Sequence, residues 1–247
     1  MITALPTAFP GLASWFDGLP VIIRRQPLLE VDVASDLAGL DRALAEGSTF
    51  QAIICTSARA ASVLLARWPQ RGQVAPAIWT LGGVDSHALA SIAPVVTPFP
   101  GDPFDPAVAA AMVAQIVGTG VRGRVLCLIG DPDLPDVSSR LADAGLLVSA
   151  VSVYRCGLVS DVEILATLER AELLVVANPL VVEALASHGE DAFLPGWVAV
   201  GRATADSCRQ TRVPLIAVAD DATTPRVAQA LLSVLAARFG LQPRVRV

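Results

Sequence analysis

Eight short runs along this sequence are apolar at nearly every position, and that lack of alternation constrains the fold more than any other feature. They are residues 20–23, 52–55, 77–81, 125–129, 148–153, 173–176, 198–200 and 215–218. A strand with one wet face alternates apolar and polar side chains. A strand buried on both faces does not, and such strands belong to parallel sheets covered by helices on each side. Between the runs lie segments with helical apolar spacing: 60–67, 86–92, 106–117, 138–144, 181–187, 204–209 and 225–239. Strand and helix signals alternate, which predicts an α/β fold with a parallel sheet.

The order of motifs then repeats. The run ending at Cys55 leads into Thr56-Ser57-Ala58-Arg59-Ala60-Ala61 and a helix; the run ending at Val176 leads into Ala177-Asn178-Pro179-Leu180 and a helix. Leu81-Gly82-Gly83-Val84-Asp85 parallels Val200-Gly201-Arg202-Ala203-Thr204. Asp105-Pro106 and Thr224-Pro225 each place a proline in the first turn of a helix. Gly82 to Pro106 and Gly201 to Pro225 are both separations of 24 residues. The chain therefore reads as two copies of one α/β unit. The second copy lacks an opening strand and helix, which Ile2-Thr3-Ala4-Leu5 and residues 10–16 supply. The expected architecture is two similar parallel-sheet α/β domains, one inserted in the other. Residues 1–27 plus 160–247 form the discontinuous domain and 33–152 the inserted one. Linkers 28–32 and 153–159 join them as a two-strand hinge, with a ligand cleft beside it.

Composition removes several classes of function. With 53% hydrophobic residues and a net charge of −5 over 247 residues, the chain is neither disordered nor short of core. Asp and Glu number 23 against 18 basic residues, which argues against a nucleic-acid partner. All the basic residues are Arg; without Lys, Schiff-base and P-loop chemistry are excluded. The four cysteines are far apart, and Cys55, Cys127 and Cys156 sit in apolar runs as small hydrophobes. His87 and His188 are isolated and expected on solvated helix faces, so no zinc site is predicted. Residues 1–19 lack a basic start, and 107–121 is too short to span a bilayer and carries Gln115. The expectation is a soluble cytoplasmic protein with reduced thiols and no membrane partner.

The turns after the strands carry the candidate chemistry. In an open parallel sheet, ligands sit at the carboxyl edge, where helix amino ends present free N–H groups to anions. Thr56-Ser57, Gly82-Gly83, Gly130-Asp131, Asn178 and Gly201-Arg202 stand at such turns. Ordinary helix capping is the better explanation of any one of them; five such turns facing one cleft point to a ligand with several negative groups. Gly118-Thr119-Gly120-Val121-Arg122-Gly123 matches a dinucleotide fingerprint but precedes its strand, so it is read as a turn. Asp131, Asp133 and Asp136 suit a loop better than a Mg²⁺ cluster, because Pro132 and Pro135 interrupt them. Tyr154 is the chain's one tyrosine. It reads equally as an apolar wedge and as a weak acid beside the ligand.

Taken together, these residues resemble the uroporphyrinogen-III synthase family across nearly the whole chain. The resemblance rests on Thr56-Ser57-Ala58-Arg59-Ala60, Leu81-Gly82-Gly83, Leu141 to Gly145 with Val151-Ser152-Val153-Tyr154-Arg155, Val200-Gly201-Arg202-Ala203-Thr204-Ala205, and Thr224-Pro225. It implies a monomeric enzyme without cofactor or metal that takes a linear tetrapyrrole, hydroxymethylbilane. Such an enzyme expels the terminal hydroxyl, inverts ring D through a spiro intermediate and closes the macrocycle to uroporphyrinogen III. It also implies Tyr154 as general acid, with Thr56, Ser57, Arg59, Gly82, Gly83, Gly130, Asn178, Gly201, Arg202 and Thr204 holding the substrate's eight carboxylates. The chain departs from the family pattern at Asp85, Ala177, Leu5-Pro6 and the acidic 131–136 loop. Those departures keep a second reading open, a non-catalytic tetrapyrrole- or polyanion-binding relative. A two-domain nucleotide- or sugar-binding protein stands further off.

Overall fold

The structure is a computed structural model and describes residues 1–34, 37–46, 49–69, 74–81, 86–133 and 136–241. The chain divides into two compact units, Val31–Cys156 and Met1–Glu30 with Gly157–Val247. It is α/β with parallel sheets, as the unbroken apolar runs require.

In chain order the first unit is built from β1 (Leu29–Val33), α1 (Ala38–Ala45), β2 (Phe50–Cys55), α2 (Ala58–Arg67), β3 (Ala77–Leu81), α3 (Ser86–Leu89), β4 (Val96–Phe99), α4 (Pro106–Gly118), β5 (Arg124–Asp131), α5 (Val137–Asp143) and β6 (Leu147–Leu158). The sheet order is β1-β6-β5-β2-β3-β4, and β6 through β4 pair in parallel. Successive residues of β2 point to opposite cores. Ile53 and Cys55 pack with α1, α2 and α3, whereas Ala52 and Ile54 pack with α4 and α5. Every one of those side chains is buried, which is why the run does not alternate. Pro98 is accommodated because β4 is an edge strand. The glycine motif at 118–123 is a turn: α4 ends at Gly118, Gly120 takes φ +89°, and β5 begins at Arg124.

The second unit contributes α6 (Asp161–Arg170), β7 (Leu173–Val176), α7 (Pro179–Ala186), β8 (Gly196–Val200), α8 (Arg202–Thr211), β9 (Leu215–Ala219) and α9 (Thr224–Phe239). Strands β7, β8 and β9 form a parallel sheet in that order. The start of the chain extends it. Ile2 bridges Val175 on one side and Arg25 on the other, both in parallel. The backbone bonds Val175 N–H to Met1 O (2.8 Å) and Gln26 N–H to Ile2 O (2.9 Å) hold these two segments. The resulting order, Arg25–Ile2–β7–β8–β9, repeats β6–β5–β2–β3–β4. Helices α6, α7 and α8 cover one face, as α1, α2 and α3 do; α9 and a 3-10 helix at Leu12–Phe16 cover the other, as α4 and α5 do. The two units share one topology, and the chain enters it at different points.

Three local expectations differ from the structure. Residues 20–23 do not form a strand: the Val21 N–H turns back to Leu19 O (2.8 Å), and pairing begins only with Arg24. His188 is not on a solvated face. Its ring is 15% exposed, with Nδ1 against Ala184 O at 2.8 Å and Nε2 3.8 Å from Asp161. Among the cysteines, Cys208 is fully buried in α8, while Cys156, near the end of β6, is half-exposed.

Candidate active site

The carboxyl edge of the first unit gathers Ser57, Arg59, Gly130 and Tyr154. Strand β2 ends at Cys55, and the Thr56 N–H and hydroxyl both bond to Leu128 O, at 3.2 and 3.1 Å. Thr56 is buried, and its hydroxyl ties β2 to β5. Ser57, with extended backbone, is the N-cap of α2: its Oγ accepts the Ala60 N–H at 3.1 Å. The Ala58 and Arg59 N–H groups of that first turn make no hydrogen bond among the described residues.

Tyr154 reaches this edge through a local irregularity of β6. Ile129 pairs with Ser152, but the next residue, Gly130, pairs with Tyr154, so one extra residue of β6 is taken up there. A bulge of this kind re-aims a side chain. Val153 is buried in the core formed with α1, α2 and α3, and Tyr154 packs against the same cluster, so two consecutive residues serve one face. The phenol ring occupies the space a side chain on Gly130 would need. A Cβ there would lie 2.6 Å from two ring carbons and 2.8 Å from the hydroxyl. Gly130 is thus required for close approach rather than for backbone freedom.

Burial pushes the phenol's pKa above the ordinary tyrosine value, as do the neighbouring Cys156 and Asp133, while the nearby Ser57 hydroxyl and the Arg59 guanidinium pull the other way. The balance is upward, so Tyr154 is protonated at neutral pH and can donate its proton. Arg59 is exposed and has no ion-pair partner among the described residues. The acidic loop is largely engaged: Asp131 pairs with Arg155 at 3.3 Å, and Asp133 accepts the Ser138 N–H (3.2 Å) and hydroxyl (2.6 Å). Asp136 is the exposed N-cap residue of α5. No group of three His, Cys, Asp or Glu among the described residues is placed to hold a metal. Gly82, Gly83 and Asp85 lie outside the described residues.

The carboxyl edge of the second unit is made differently. Asn178 caps α7, its side-chain oxygen accepting the Leu180 N–H at 2.8 Å. Gly201, at φ +81° and ψ 161°, turns β8 into α8 through a conformation essentially restricted to glycine. Arg202 is exposed and leans on Asp206 at 3.8 Å. Thr204 is wholly buried, and its hydroxyl has no hydrogen-bond partner among the described residues. Buried hydroxyls are rarely left in that state without reason.

With this geometry established, the comparisons decide the family. The family model described as "Uroporphyrinogen-III synthase HemD" matches residues 21–229. The chain belongs to the uroporphyrinogen-III synthase family. Enzymes of this family are lyases of porphyrin biosynthesis. Among solved structures, the chain is similar to a mutant form of uroporphyrinogen III synthase from the extremely thermophilic bacterium Thermus thermophilus. They are 20% identical with a TM-score of 0.64, over 97% of this chain and 98% of that one. It is also similar to uroporphyrinogen-III synthetase from Helicobacter pylori, at 15% identity and a TM-score of 0.53, over 85% and 92% of the two chains. At these identities the likeness is one of fold. No curated protein matches the chain. No helix among the described residues is long and apolar enough to cross a membrane.

Within the synthase family, then, this chain places Tyr154, Ser57, Arg59 and Gly130 together on one edge, and Asn178, Gly201, Arg202 and Thr204 at strand ends of the other unit. Thr56 is spent on internal bonding. Cys156 and Asp133 stand out in the sequence only as an apolar-run thiol and a loop carboxylate; their nearness to the phenol is seen only in the structure. One signal was available for the Tyr154 environment: a glycine at a strand end often marks a close approach by another group.

Proposed function

We propose that this chain is an active uroporphyrinogen-III synthase, cyclising hydroxymethylbilane with inversion of ring D. Tyr154 donates its proton to the terminal hydroxyl, which leaves as water. The proton released when the pyrrole closes the macrocycle restores the phenol, so the cycle balances without a cofactor. Arg59 and the open amides of Ala58 and Arg59 take substrate carboxylates beside the reacting end. Asn178, Arg202 and Thr204, with Gly82 and Gly83, supply further donors, and Gly201, whose own N–H is held by Ala219 O at 2.9 Å, shapes the turn that opens α8. Folding a flexible chain until its ends meet is chiefly a matter of positioning. The observation that carries this reading is the placement of the single phenol, protonated at neutral pH, at a carboxyl edge in a chain of this family.

The test is to incubate the purified protein with freshly generated hydroxymethylbilane and separate the products. Isomer III is expected. Isomer I alone, the product of spontaneous closure, refutes the proposal and leaves the non-catalytic reading.

A further inference from the structure

We infer that β9 is a docking edge for a second copy of this chain, the two β9 strands pairing antiparallel across a two-fold axis. The inference concerns the second unit's sheet and does not rest on the proposed function. Four segments stand at sheet edges among the described residues: β1, β4, the stretch around Arg25, and β9. An edge strand presents unpaired N–H and C=O groups, and chains that stay apart blunt such edges with charge or proline. Three of these edges are blunted. Strand β1 carries the exposed Glu30 and Asp32, β4 carries Pro98, and the Arg25 segment is flanked by Arg24 and Pro27. Strand β9, Leu215-Ile216-Ala217-Val218-Ala219, has neither a charge nor a proline. Ile216 is exposed, and the groove beside it is lined by the exposed Phe193 and Leu194 together with Pro214 and Val234.

The geometry of β9 selects the partner. The Ala219 carbonyl accepts the Gly201 N–H at 2.9 Å, so it faces β8, as does Ala217, which pairs with Val198. Backbone groups alternate sides along a strand, so those of Val218 point away from β8. Ile216 is passed over where the register shifts between Trp197 and Val198 and pairs with no residue of β8. An antiparallel pair centred on Ala217 sets Ile216 of each copy opposite Val218 of the other, and residues so opposed can exchange both backbone bonds. Pro214, which lacks an N–H, bounds the ladder. Charge chooses between the two directions. Arg212 lies three residues before the strand and Asp220 and Asp221 directly follow it, all three exposed. Arg212 and Asp220 have no ion-pair partner among the described residues. Antiparallel pairing brings the Arg212 end of each copy to the Asp220–Asp221 end of the other, whereas parallel pairing sets like charges together. Such a contact uses the same surface on both copies and closes on itself, so it stops at a dimer. The family resemblance implies a monomer; this edge points to a dimer that forms as concentration rises.

Sedimentation velocity on the full chain, from about 1 µM to about 300 µM, reads the association directly. The sedimentation coefficient should climb from the monomer's value towards the dimer's across that range. Arg212→Asp and Asp220→Arg each turn two attractions into repulsions and should weaken the dimer about tenfold; the combined variant should return to within about threefold of the parent. Asp suits the left-handed backbone at Arg212 (φ +60°), and both positions are at the surface, so these variants should fold. Val218→Pro removes an outward N–H at an edge position, where proline is tolerated, and should leave a monomer. A parent that stays monomeric at every concentration overturns the inference. So does a dimer that the single swaps and Val218→Pro all leave intact, since the contact then lies on another surface. A dimer that both single swaps weaken and the combined swap fails to rescue overturns the antiparallel pairing.

Discussion

At the end of β2, Ser57 caps a helix beside a phenol; at the end of β7, in the same place of the same topology, Asn178 caps a helix with its carboxamide. The first unit's edge is dense with side chains that act on the Tyr154 proton: Ser57, Arg59, Asp133 and Cys156. The second unit's edge is mostly backbone, organised by a glycine conformation at Gly201 and a buried hydroxyl at Thr204. The two units share a strand order, yet one carries a phenol at its edge and the other an exposed guanidinium, Arg202, with hydroxyl and amide groups. The lesson is that topology decides where a site can be, whereas a single bulge decides what it can do.

Removing the acid tests this contrast most severely. Tyr154→Phe should lower kcat by about 10²-fold and leave KM within about twofold, since one general acid contributes on that scale. Because the phenol's pKa is raised, the parent should hold its activity into alkaline pH and lose it only as the phenol ionises above the ordinary tyrosine value. An unchanged kcat in Tyr154→Phe returns the residue to a packing wedge and makes the two edges equivalent.

The two glycines separate the edges in a second way. Gly201→Ala forces a side chain into φ +81° and should cost about 1–3 kcal/mol of stability, read as a lowered urea midpoint. Gly130 does not have a positive φ; its alanine instead collides with the Tyr154 ring, a side chain that can swing away. Gly130→Ala should therefore lose about tenfold in turnover while shifting the urea midpoint less than Gly201→Ala does. The reverse ranking would mean that the ring is not held where β6 places it.

Much of this was legible in the sequence, and the reasons are local. Apolar runs without alternation announced buried parallel strands. Helices α1 and α6 were missed because their apolar faces are short, although Ser160 and Glu163 form a capping box that opens α6. Strand β4 hid behind Pro98. The start of the chain was matched to the right sheet but to the wrong residues. Pro20 and a tight bond at Val21 delay pairing to Arg24, and no propensity rule sees a partner as distant as Ile2. At the site, Tyr154 and Ser57 were legible as types. The aim of the Tyr154 ring was not, because it depends on a one-residue shift of register between β5 and β6.

The smallest expected effect tests whether the second unit's edge is functional. Thr204 and Thr80 are both wholly buried with hydroxyls lacking partners among the described residues; Thr204 stands at the carboxyl edge of the second unit and Thr80 within β3 of the first. An unpaired buried hydroxyl costs stability, so Thr→Val at either position should leave folding unharmed or improve it by up to about 1 kcal/mol. The two should part on substrate. If Thr204 donates to a substrate carboxylate, Thr204→Val raises KM a few-fold, roughly the worth of one hydrogen bond to a charged group, and stabilises the free protein. Thr80→Val then gives the stability gain without the change in KM. A free protein destabilised by Thr204→Val would show that the hydroxyl already has a partner in the folded chain, an internal water being the simplest. The second edge would then bind through backbone alone.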